Sequence, residues 1–300
     1  LMNEAENIYL NRNEHYRAVL EVQTREDRFI ERVKREFPLH EILRSNPILQ
    51  HLRSIKEPEE IELLQKACNI TEKGVRRLLS FVKPGVWEYE IEAELMHEFL
   101  RNRSKGFAYT PIIASGENAN VLHYIANNMQ CKDGDVILLD VGAEYANYSS
   151  DLTRMIPVNG KFTARQKEIY NAVLDMKNFA TSLLVPGNNW YDYHKECGEF
   201  YTSKFLELGL LDKADVQNQD KNWPAYKKYM MHGTSHHLGL DTHDYGILKD
   251  KFVENMVFTV EPGIYLPAEG FGVRIEDDVV IQNSGPAFNL MKNIPIEVEE

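Results

Sequence analysis

Cysteine is scarce in this chain. Three cysteines occur in 300 residues, an odd number, and they lie far apart at positions 68, 131 and 197. No two of them form a CxxC pair, which disfavours both a disulfide-stapled fold and a zinc ribbon. A chain that does without disulfides fits a reducing compartment, so we expect a cytoplasmic protein.

Long apolar runs and excess positive charge are also lacking. No apolar stretch approaches the roughly 18 residues that a transmembrane helix requires, so we expect no membrane partner. Lysine and arginine total 34 against 46 acidic residues, which gives a net charge of −12. Because no long basic run is present, nucleic acid is not an expected partner either. The acidic excess favours solubility, and part of it is available for a carboxylate-rich site.

The composition is otherwise that of a globular protein, with 43% hydrophobic and 27% charged residues. Residues 1–54 contain few apolar positions, and we interpret them as the remnant of an upstream N-terminal domain plus a linker. Within them, Thr24–Phe37 has the spacing of a short amphipathic helix with Thr24 as its N-cap. Residues 55–300 are expected to form one large domain.

Two pairs of helices are predicted in the same order, about a hundred residues apart. Apolar residues recur at helical spacing in four segments: 57–82, 88–102, 163–184 and 190–210. The first helix of each pair ends at a Pro-Gly, in "VKPGVWEYE" (Val82–Glu90) and in "LVPGNNWYDY" (Leu184–Tyr193). A tryptophan and an acidic, aromatic helix start follow both times. Internal similarity at so long a period predicts two duplicated halves.

Each helix pair is followed by a segment with the alternation of a β-hairpin. The first, Asp135–Val158, is expected to turn near Ala146 and Asn147. The second, Met256–Ile281, is expected to turn near Ala268–Gly270. We therefore predict an α+β fold in which helices back an antiparallel sheet.

Both hairpins carry acids where a buried strand should be apolar. Asp140 interrupts an apolar run, and Asp151 follows across the turn. Glu261 and Glu276 stand in the same relation around the longer second loop. Residues equidistant from a turn face each other on paired strands, so the members of each pair should be close. Carboxylates brought together inside a core repel one another and are costly to desolvate, which predicts a neutralising cation.

The stretch "MHGTSHHLGLDTHD" (Met231–Asp244) contains four of the ten histidines of the chain. His232 and His236 have the i, i+4 spacing that can bind zinc on a helix, but Gly233 occupies the position where the zincin motif needs glutamate. Gly233 and Gly239 also disfavour a regular helix. One histidine together with four carboxylates is an oxygen-rich set, which suits manganese, magnesium, iron or cobalt better than a structural zinc.

Five residues in this order, with the sequence around them, resemble the pita-bread metallopeptidases: Asp140, Asp151, His236, Glu261 and Glu276. The matching stretches are "HGTSHHLGLDTHD", "VEPGIY" and "VRIEDD". The resemblance is closest to aminopeptidase P (Xaa-Pro aminopeptidase), with prolidase next. It implies a pita-bread fold made of duplicated α+β halves, and a metallopeptidase catalytic domain over residues 55–300.

The resemblance also implies a site with two divalent metal ions, usually manganese. Asp151 and Glu276 would bridge the two ions. Asp140 would hold one ion, and His236 and Glu261 would hold the other. Two such ions activate a water molecule and polarise the scissile carbonyl. Glu261 would also act as the general base toward that water.

Five further residues match positions around the substrate. His243 matches a histidine that contacts the substrate and stabilises the tetrahedral intermediate, and His123 matches another substrate-side histidine. His232 would shape the substrate pocket. Arg274 would orient a carboxylate through charge-assisted hydrogen bonds. Tyr109 matches an active-site tyrosine.

The implied reaction removes the first residue of a peptide whose second residue is proline. Proline lacks an N–H and has a fixed φ, so a dedicated pocket can select its shape. Ser235 favours aminopeptidase P over prolidase, where glycine is common at that position, and His237 stands where the family often has an aromatic residue. Prolidase, which cleaves Xaa-Pro dipeptides, remains the alternative, followed by an inactive pita-bread binding module. Family members of this type carry a full N-terminal domain, so a homo-oligomer is expected of the full-length protein.

Overall fold

The computed structural model describes residues 2–12 and 22–298. The α-helices in this part of the chain are Arg25–Glu36 (α1), Asn46–Ser54 (α2), Pro58–Phe81 (α3), Glu88–Arg101 (α4), Ala164–Ser182 (α5), Trp190–Glu207 (α6) and Lys213–Gln217 (α7). The strands are Asn7–Leu10 (β1), Glu41–Arg44 (β2), Ile112–Ser115 (β3), Val136–Val141 (β4), Glu144–Tyr145 (β5), Tyr148–Ser149 (β6), Leu152–Pro157 (β7), Val257–Val260 (β8), Gly263–Leu266 (β9), Phe271–Arg274 (β10), Asp277–Val280 (β11) and Phe288–Asn289 (β12). Within these described residues, no helix has both the length and the apolar character that crossing a membrane requires.

The two predicted helix pairs are confirmed as α3–α4 and α5–α6. α3 begins at Pro58, whose missing N–H is not needed in a first turn, and Glu60 accepts a hydrogen bond from the backbone N–H of Glu57 at 2.8 Å. The short N-terminal helix is confirmed as α1. Its N-cap is Thr24, whose hydroxyl accepts the backbone N–H of Asp27 at 3.1 Å. Local capping signals therefore decide where these helices begin.

The region before α3 contains a small β-α-β unit. β1 and β2 pair in parallel, and the chain between them includes α1. Residues 1 and 13–21 lie outside the described residues, so the predicted N-terminal remnant is described in part. Between α2 and α3, Ile55 pairs with Met256 of the second half. The domain boundary after residue 54 stays a prediction.

The turns of the predicted hairpins lie in the two-stranded pairs β5-β6 and β9-β10, and their outer strands belong to two three-stranded antiparallel sheets. One has the strand order β3-β4-β7 and the other β8-β11-β12. The first hairpin turns at Ala146 and Asn147, whose φ angles of 52° and 71° suit a tight hairpin turn. The second turns through the 3₁₀ segment Pro267–Glu269, which Gly270 ends in the left-handed conformation. Both predicted turn positions are confirmed.

The second hairpin is interrupted, and the two halves meet at the interruption. β8 pairs with β11, and β9 pairs with β10. Between these two paired stretches the regular pairing is broken, at Glu261 on one side and at Glu276 on the other. Glu276 pairs instead with Thr153 of β7, whose carbonyl accepts its backbone N–H at 3.1 Å. The break therefore puts Glu261 and Glu276 at the seam between the halves.

Apolar packing surrounds the first sheet from both sides. Ile137 and Leu139 of β4 join the cluster formed with α3 and α4. Val136 and Leu138 of the same strand join the larger cluster formed with α5 and α6. A strand that is covered on both faces can expose a polar side chain only near its end, which is where Asp140 lies. The predicted α+β class is confirmed.

Candidate metal centre

The four strand carboxylates lie at corresponding places in the two hairpins. In the first hairpin Asp140 pairs with Thr153, so Asp151 is its diagonal neighbour on the same face. In the second hairpin the register of the flanking pairs puts Glu261 opposite Glu276. The predicted closeness of each acid pair is therefore confirmed.

The stretch that contains His236 is extended rather than helical, as its glycines predicted. It runs alongside β8: the backbone N–H of Thr259 donates to the carbonyl of His236 at 3.0 Å, and that of Glu261 to the carbonyl of Thr234 at 2.8 Å. The ring Nδ1 of His236 lies 3.0 Å from the carbonyl of His237. Nδ1 therefore carries the proton, and Nε2 is left as the atom that can bind a metal.

One histidine and two carboxylates converge closely enough to bind an ion. Ligand atoms of Asp151, His236 and Glu276 all lie within 4.8 Å of one another. The Nε2 atom of His236 is 3.4 Å from Asp151 Oδ2 and 3.7 Å from Glu261 Oε1. Nitrogen and oxygen donors from three separate segments thus face a common point.

Tyr109 joins the remaining acid to this group. Its hydroxyl oxygen lies 2.6 Å from Asp140 Oδ1 and 2.6 Å from Asp151 Oδ1. A hydroxyl has one proton, so Tyr109 can donate to only one of the two carboxylates at a time. Burial, followed by the two aspartates, holds the pKa of Tyr109 well above its usual value, so the phenol stays protonated.

The acids are crowded enough to raise one another's pKa. Burial, followed by repulsion from Asp151 and Glu261, raises the pKa of Glu276 well above its ordinary value. Burial also raises the pKa of Asp151, and it raises that of Glu261 to about 7 although His236 and Arg274 oppose the shift. Burial alone would lower the pKa of His236, but Asp151 and Glu261 outweigh it and raise that pKa to about 9.

A buried arginine ties the two hairpins together beside the acids. Arg274 donates from Nη2 to Asp140 Oδ2 at 2.5 Å and from Nε to Thr153 Oγ1 at 3.2 Å. Its Nη1 donates to the hydroxyl of Tyr265 at 2.8 Å. Thr153 in turn donates to Glu276 Oε2 at 2.6 Å. One guanidinium therefore contacts side chains from both halves of the fold.

Sequence reasoning missed two residues of this network, Thr153 and Tyr265. Thr153 lies two positions after Asp151 on the same strand face, so strand alternation could have found it. Tyr265 ends the "VEPGIY" stretch, and its hydroxyl also lies 2.7 Å from Nε2 of His232. No local signal indicates that contact, because the two residues belong to segments separated along the chain.

The other predicted histidines border the same site. Burial, followed by Arg274, lowers the pKa of His232 to about 3, so its ring is neutral. The ring of His243 meets that of His236 edge-on, with 4.4 Å between the centroids. His123 is exposed, and it lies near enough to His232 to contribute to the lowering of that pKa. Histidines from both halves therefore flank the carboxylates.

The residues that converge here fit a divalent cation. Four carboxylates and one imidazole form an oxygen-rich donor set of the kind that hard and borderline divalent ions prefer. Burial, followed by the neighbouring carboxylates, raises the pKa of Asp151, Glu261 and Glu276, and a cation would oppose both effects by favouring the ionised forms. The shared hydroxyl of Tyr109 fits the same interpretation, since it cannot supply a proton to both aspartates.

Comparison with known proteins agrees with this interpretation. The chain is 41% identical over 272 residues to the Xaa-Pro aminopeptidase of Haemophilus influenzae and 39% identical over 266 residues to that of Escherichia coli. These alignments cover 87% and 85% of this chain but 63% and 60% of the two relatives. The structure of E. coli aminopeptidase P with the inhibitor Pro-Leu matches with a TM-score of 0.85 at 33% identity, covering 98% of this chain and 69% of that one.

The chain therefore spans less than two thirds of the length of these curated relatives. The predicted resemblance to aminopeptidase P and the predicted pita-bread fold are confirmed by the same matches. A sequence profile described as Metallopeptidase family M24 matches residues 62–283, which include all of the converging acids and histidines. On this match and on these identities, the chain belongs to metallopeptidase family M24.

Proposed function

We propose that this chain is the catalytic domain of an Xaa-Pro aminopeptidase, which removes the N-terminal residue from peptides with proline at the second position. The observation that carries the proposal is the convergence of Asp151, His236 and Glu276 within 4.8 Å, in a chain of a metallopeptidase family. The relatives named for this activity support the choice of substrate.

Two divalent ions, with manganese as the preferred metal, are proposed for the site. Asp151 and Glu276 would bridge the ions. Asp140 would hold one ion, and His236 and Glu261 would hold the other. When bound, the ions would activate a water molecule and polarise the carbonyl of the scissile bond.

Glu261 is proposed as the general base. It lies at the break between β8 and β9, opposite Glu276 and 3.7 Å from the imidazole of His236. Cations at the neighbouring acids would lower its pKa from about 7, so that the carboxylate is ionised and can accept a proton. Its protonated form would then return that proton to the leaving amine of proline.

Three histidines are proposed to contact the substrate. His243 is exposed beside the ring of His236, where its N–H can stabilise the charge that develops on the substrate carbonyl oxygen. His232 is neutral and is held by Tyr265, so it would line the pocket without adding charge. His123 would contact the peptide from the first half of the fold.

A prolidase is the second candidate function. Ser235 favours the aminopeptidase, because its buried hydroxyl lies 2.6 Å from the hydroxyl of Tyr193, a contact that the glycine common in prolidases cannot make. An inactive binding module is disfavoured, since all five proposed ligand positions hold residues that can bind a cation.

We further propose a cytoplasmic location, and a homo-oligomer for the full-length protein. Cys68, Cys131 and Cys197 are free and buried, which supports a reducing compartment. The proposed oligomer depends on an N-terminal domain of the kind that family members of this type carry.

The test is hydrolysis by chelated protein that is resupplied with manganese, using an Arg-Pro-Pro tripeptide and an Ala-Pro dipeptide. We expect metal-dependent release of arginine from the tripeptide. Asp151→Asn should lower kcat/KM by at least about 100-fold, with an unchanged circular dichroism spectrum. Removing a metal ligand should cost more activity than removing a residue that only hydrogen-bonds to a ligand. Cleavage of the dipeptide alone would identify a prolidase. Bound metal without turnover of either peptide would point to a requirement for an N-terminal domain, and no bound metal would favour a binding module. Full activity in Asp151→Asn would contradict the proposed metal site.

A further inference from the structure

Glu88, the first residue of α4, is a fully buried acid outside the metal site. Its exposed fraction is 0%. A carboxylate that leaves water completely is costly unless a cation or several hydrogen bonds replace its hydration. Its position at a helix N-terminus supplies part of that compensation through the helix dipole.

Four neutral donors complete the compensation, and all four come from one stretch of chain. Oε1 of Glu88 accepts the backbone N–H of Ser115 at 2.8 Å and the side-chain amide of Asn118 at 3.1 Å. Oε2 accepts the hydroxyl of Tyr124 at 2.7 Å and the backbone N–H of Met129 at 2.9 Å. Both oxygens are therefore saturated by the last residue of β3 and the segment that follows it.

That segment includes His123 and has little structure of its own. From Val121 to Met129 the chain forms neither helix nor strand. A second acid of α4, Glu92, binds the same stretch by accepting a hydrogen bond from the side-chain amide of Asn127 at 2.9 Å. The side-chain oxygen of Asn127 in turn accepts the backbone N–H of Ile113 at 3.0 Å. Side chains of α4 hold this loop in place. A short backbone bridge adds to them at its end, where the N–H of Glu88 donates to the carbonyl of Met129 at 3.0 Å and Trp87 pairs with Gln130.

We propose that Glu88 is a positioning residue that holds the loop of His123, and so the His123 ring, against the metal site. This inference rests on the proposed function, in which His123 contacts the peptide. Tyr124, the residue next to His123, is bound directly by Glu88, so a shift of the carboxylate moves the neighbouring ring. His123 is exposed, so few packing contacts fix its position. The hydrogen bonds from Glu88 to its loop supply that restraint.

The test is Glu88→Gln, alone and combined with His123→Ala. Glutamine has the same shape, but its amide nitrogen cannot accept, so the donors that faced one oxygen lose their partner. We expect kcat/KM for the proline-containing tripeptide to fall about tenfold, as for other outer partners, with unchanged metal content. In the His123→Ala background the same change should cost less than about twofold, because the group through which it acts is gone.

Tyr124→Phe is the milder variant, and it carries the test if Glu88→Gln fails to fold. It removes one of the four hydrogen bonds and should lower kcat/KM about threefold, again only when His123 is present. Tyr148→Phe is the matched control, since Tyr148 donates to Glu60 at 2.7 Å in another part of the structure. It should show no dependence on His123.

A readout without turnover separates this inference from the proposed function. The imidazole signals of His123 and His243 are assigned by NMR with alanine variants. We expect Glu88→Gln to move the His123 signal and to leave that of His243 in place, even if no peptide is cleaved. Equal losses of kcat/KM in both backgrounds, or an unmoved His123 signal, would overturn the proposal. If the wild-type protein cleaves no peptide but Glu88→Gln still moves the His123 signal, the proposed function is contradicted and the role of Glu88 is not.

Discussion

At the scale of single residues, three of the four acids of the site have a neighbour that holds them in place. The hydroxyl of Tyr109 lies between Asp140 and Asp151, and Thr153 donates to Glu276. Such neighbours orient a carboxylate before an ion arrives, so less conformational freedom is lost when it binds. The affinity of the site should therefore depend on residues that do not bind the ion themselves.

Tyr109→Phe should weaken manganese binding about 10- to 100-fold, the usual effect of removing an outer partner of a metal ligand. The phenyl ring keeps the packing, but Asp140 and Asp151 lose the hydroxyl between them. Isothermal titration of chelated protein measures the affinity. Tyr170→Phe is the control, because it removes a hydroxyl that donates to the carbonyl of Ile296 at 2.5 Å. An affinity that changes equally in the two variants would contradict this role for Tyr109.

At the scale of elements, buried charge links the loop of His243 to the last turn of α2 and to the segment that follows it. Asp244, next to His243, has a side chain that is 1% exposed. It pairs with Arg53 and lies 3.4 Å from Nζ of Lys56. Lys56 also donates to the carbonyl of Arg53 at 2.6 Å. The segment at the predicted domain boundary therefore supports a loop of the proposed active site.

Lys56→Met should lower the free energy of unfolding by about 3 kcal/mol, because Asp244 would stay buried with one cation fewer. Methionine keeps the apolar stem, so the loss reports on charge rather than on packing. Urea unfolding of chelated protein is the measurement. Lys249→Met, at an exposed position, should change the stability by no more than about 0.5 kcal/mol. If the two variants lose the same amount, the buried pair contributes nothing.

At the scale of the whole molecule, the site exists only where the two halves meet. The first half contributes Asp140 and Asp151, and the second contributes His236 and Glu276. The pairing of Glu276 with Thr153 forms the seam between them. Since neither half holds all of the candidate ligands, conditions that weaken the global fold should also weaken the site. Proton uptake is one such condition.

Acid should destabilise the folded chain partly through His194 of α6. Burial, followed by the charge of Lys227, lowers the pKa of His194 from its ordinary 6.5 to about 4. Below pH 6.5 the unfolded chain therefore binds a proton that the folded chain does not, and stability is lost until the pH reaches about 4. We expect this group to remove about 1–2 kcal/mol between pH 7 and pH 5.

His194→Phe checks this expectation. The new ring keeps an aromatic contact with Trp190, whose centroid lies 4.6 Å from that of His194, but it has no proton to bind. Urea unfolding at pH 7 and pH 5 gives the loss of unfolding free energy for each protein. Subtracting the two losses cancels the titration of the carboxylates, which both proteins have in common. The variant should lose less stability than the wild type. The same pH dependence in both would mean that His194 is not a source of acid sensitivity.

Much of the fold could be predicted because its signals are local. Thr24 caps α1 through its own first turn, and the Pro-Gly after α3 stops that helix within a few residues. Ala146 and Asn147 turn the first hairpin where the flanking strands require positive φ. The acids on the strands could also be recognised from the sequence, because a charged residue within an apolar run is unexpected in a buried strand.

The sequence by itself determined α1, the two helix pairs α3–α4 and α5–α6, the hairpin turns and the identity of the candidate ligands, since each of these depends on residues a few positions apart. Only the tertiary structure decided which other side chains complete the site. Thr153 reaches Glu276, Tyr265 reaches His232, and Glu88 holds the loop after β3 through contacts between segments that are distant in sequence. Such contacts follow from how the two halves pack together, and no local periodicity or cap encodes them.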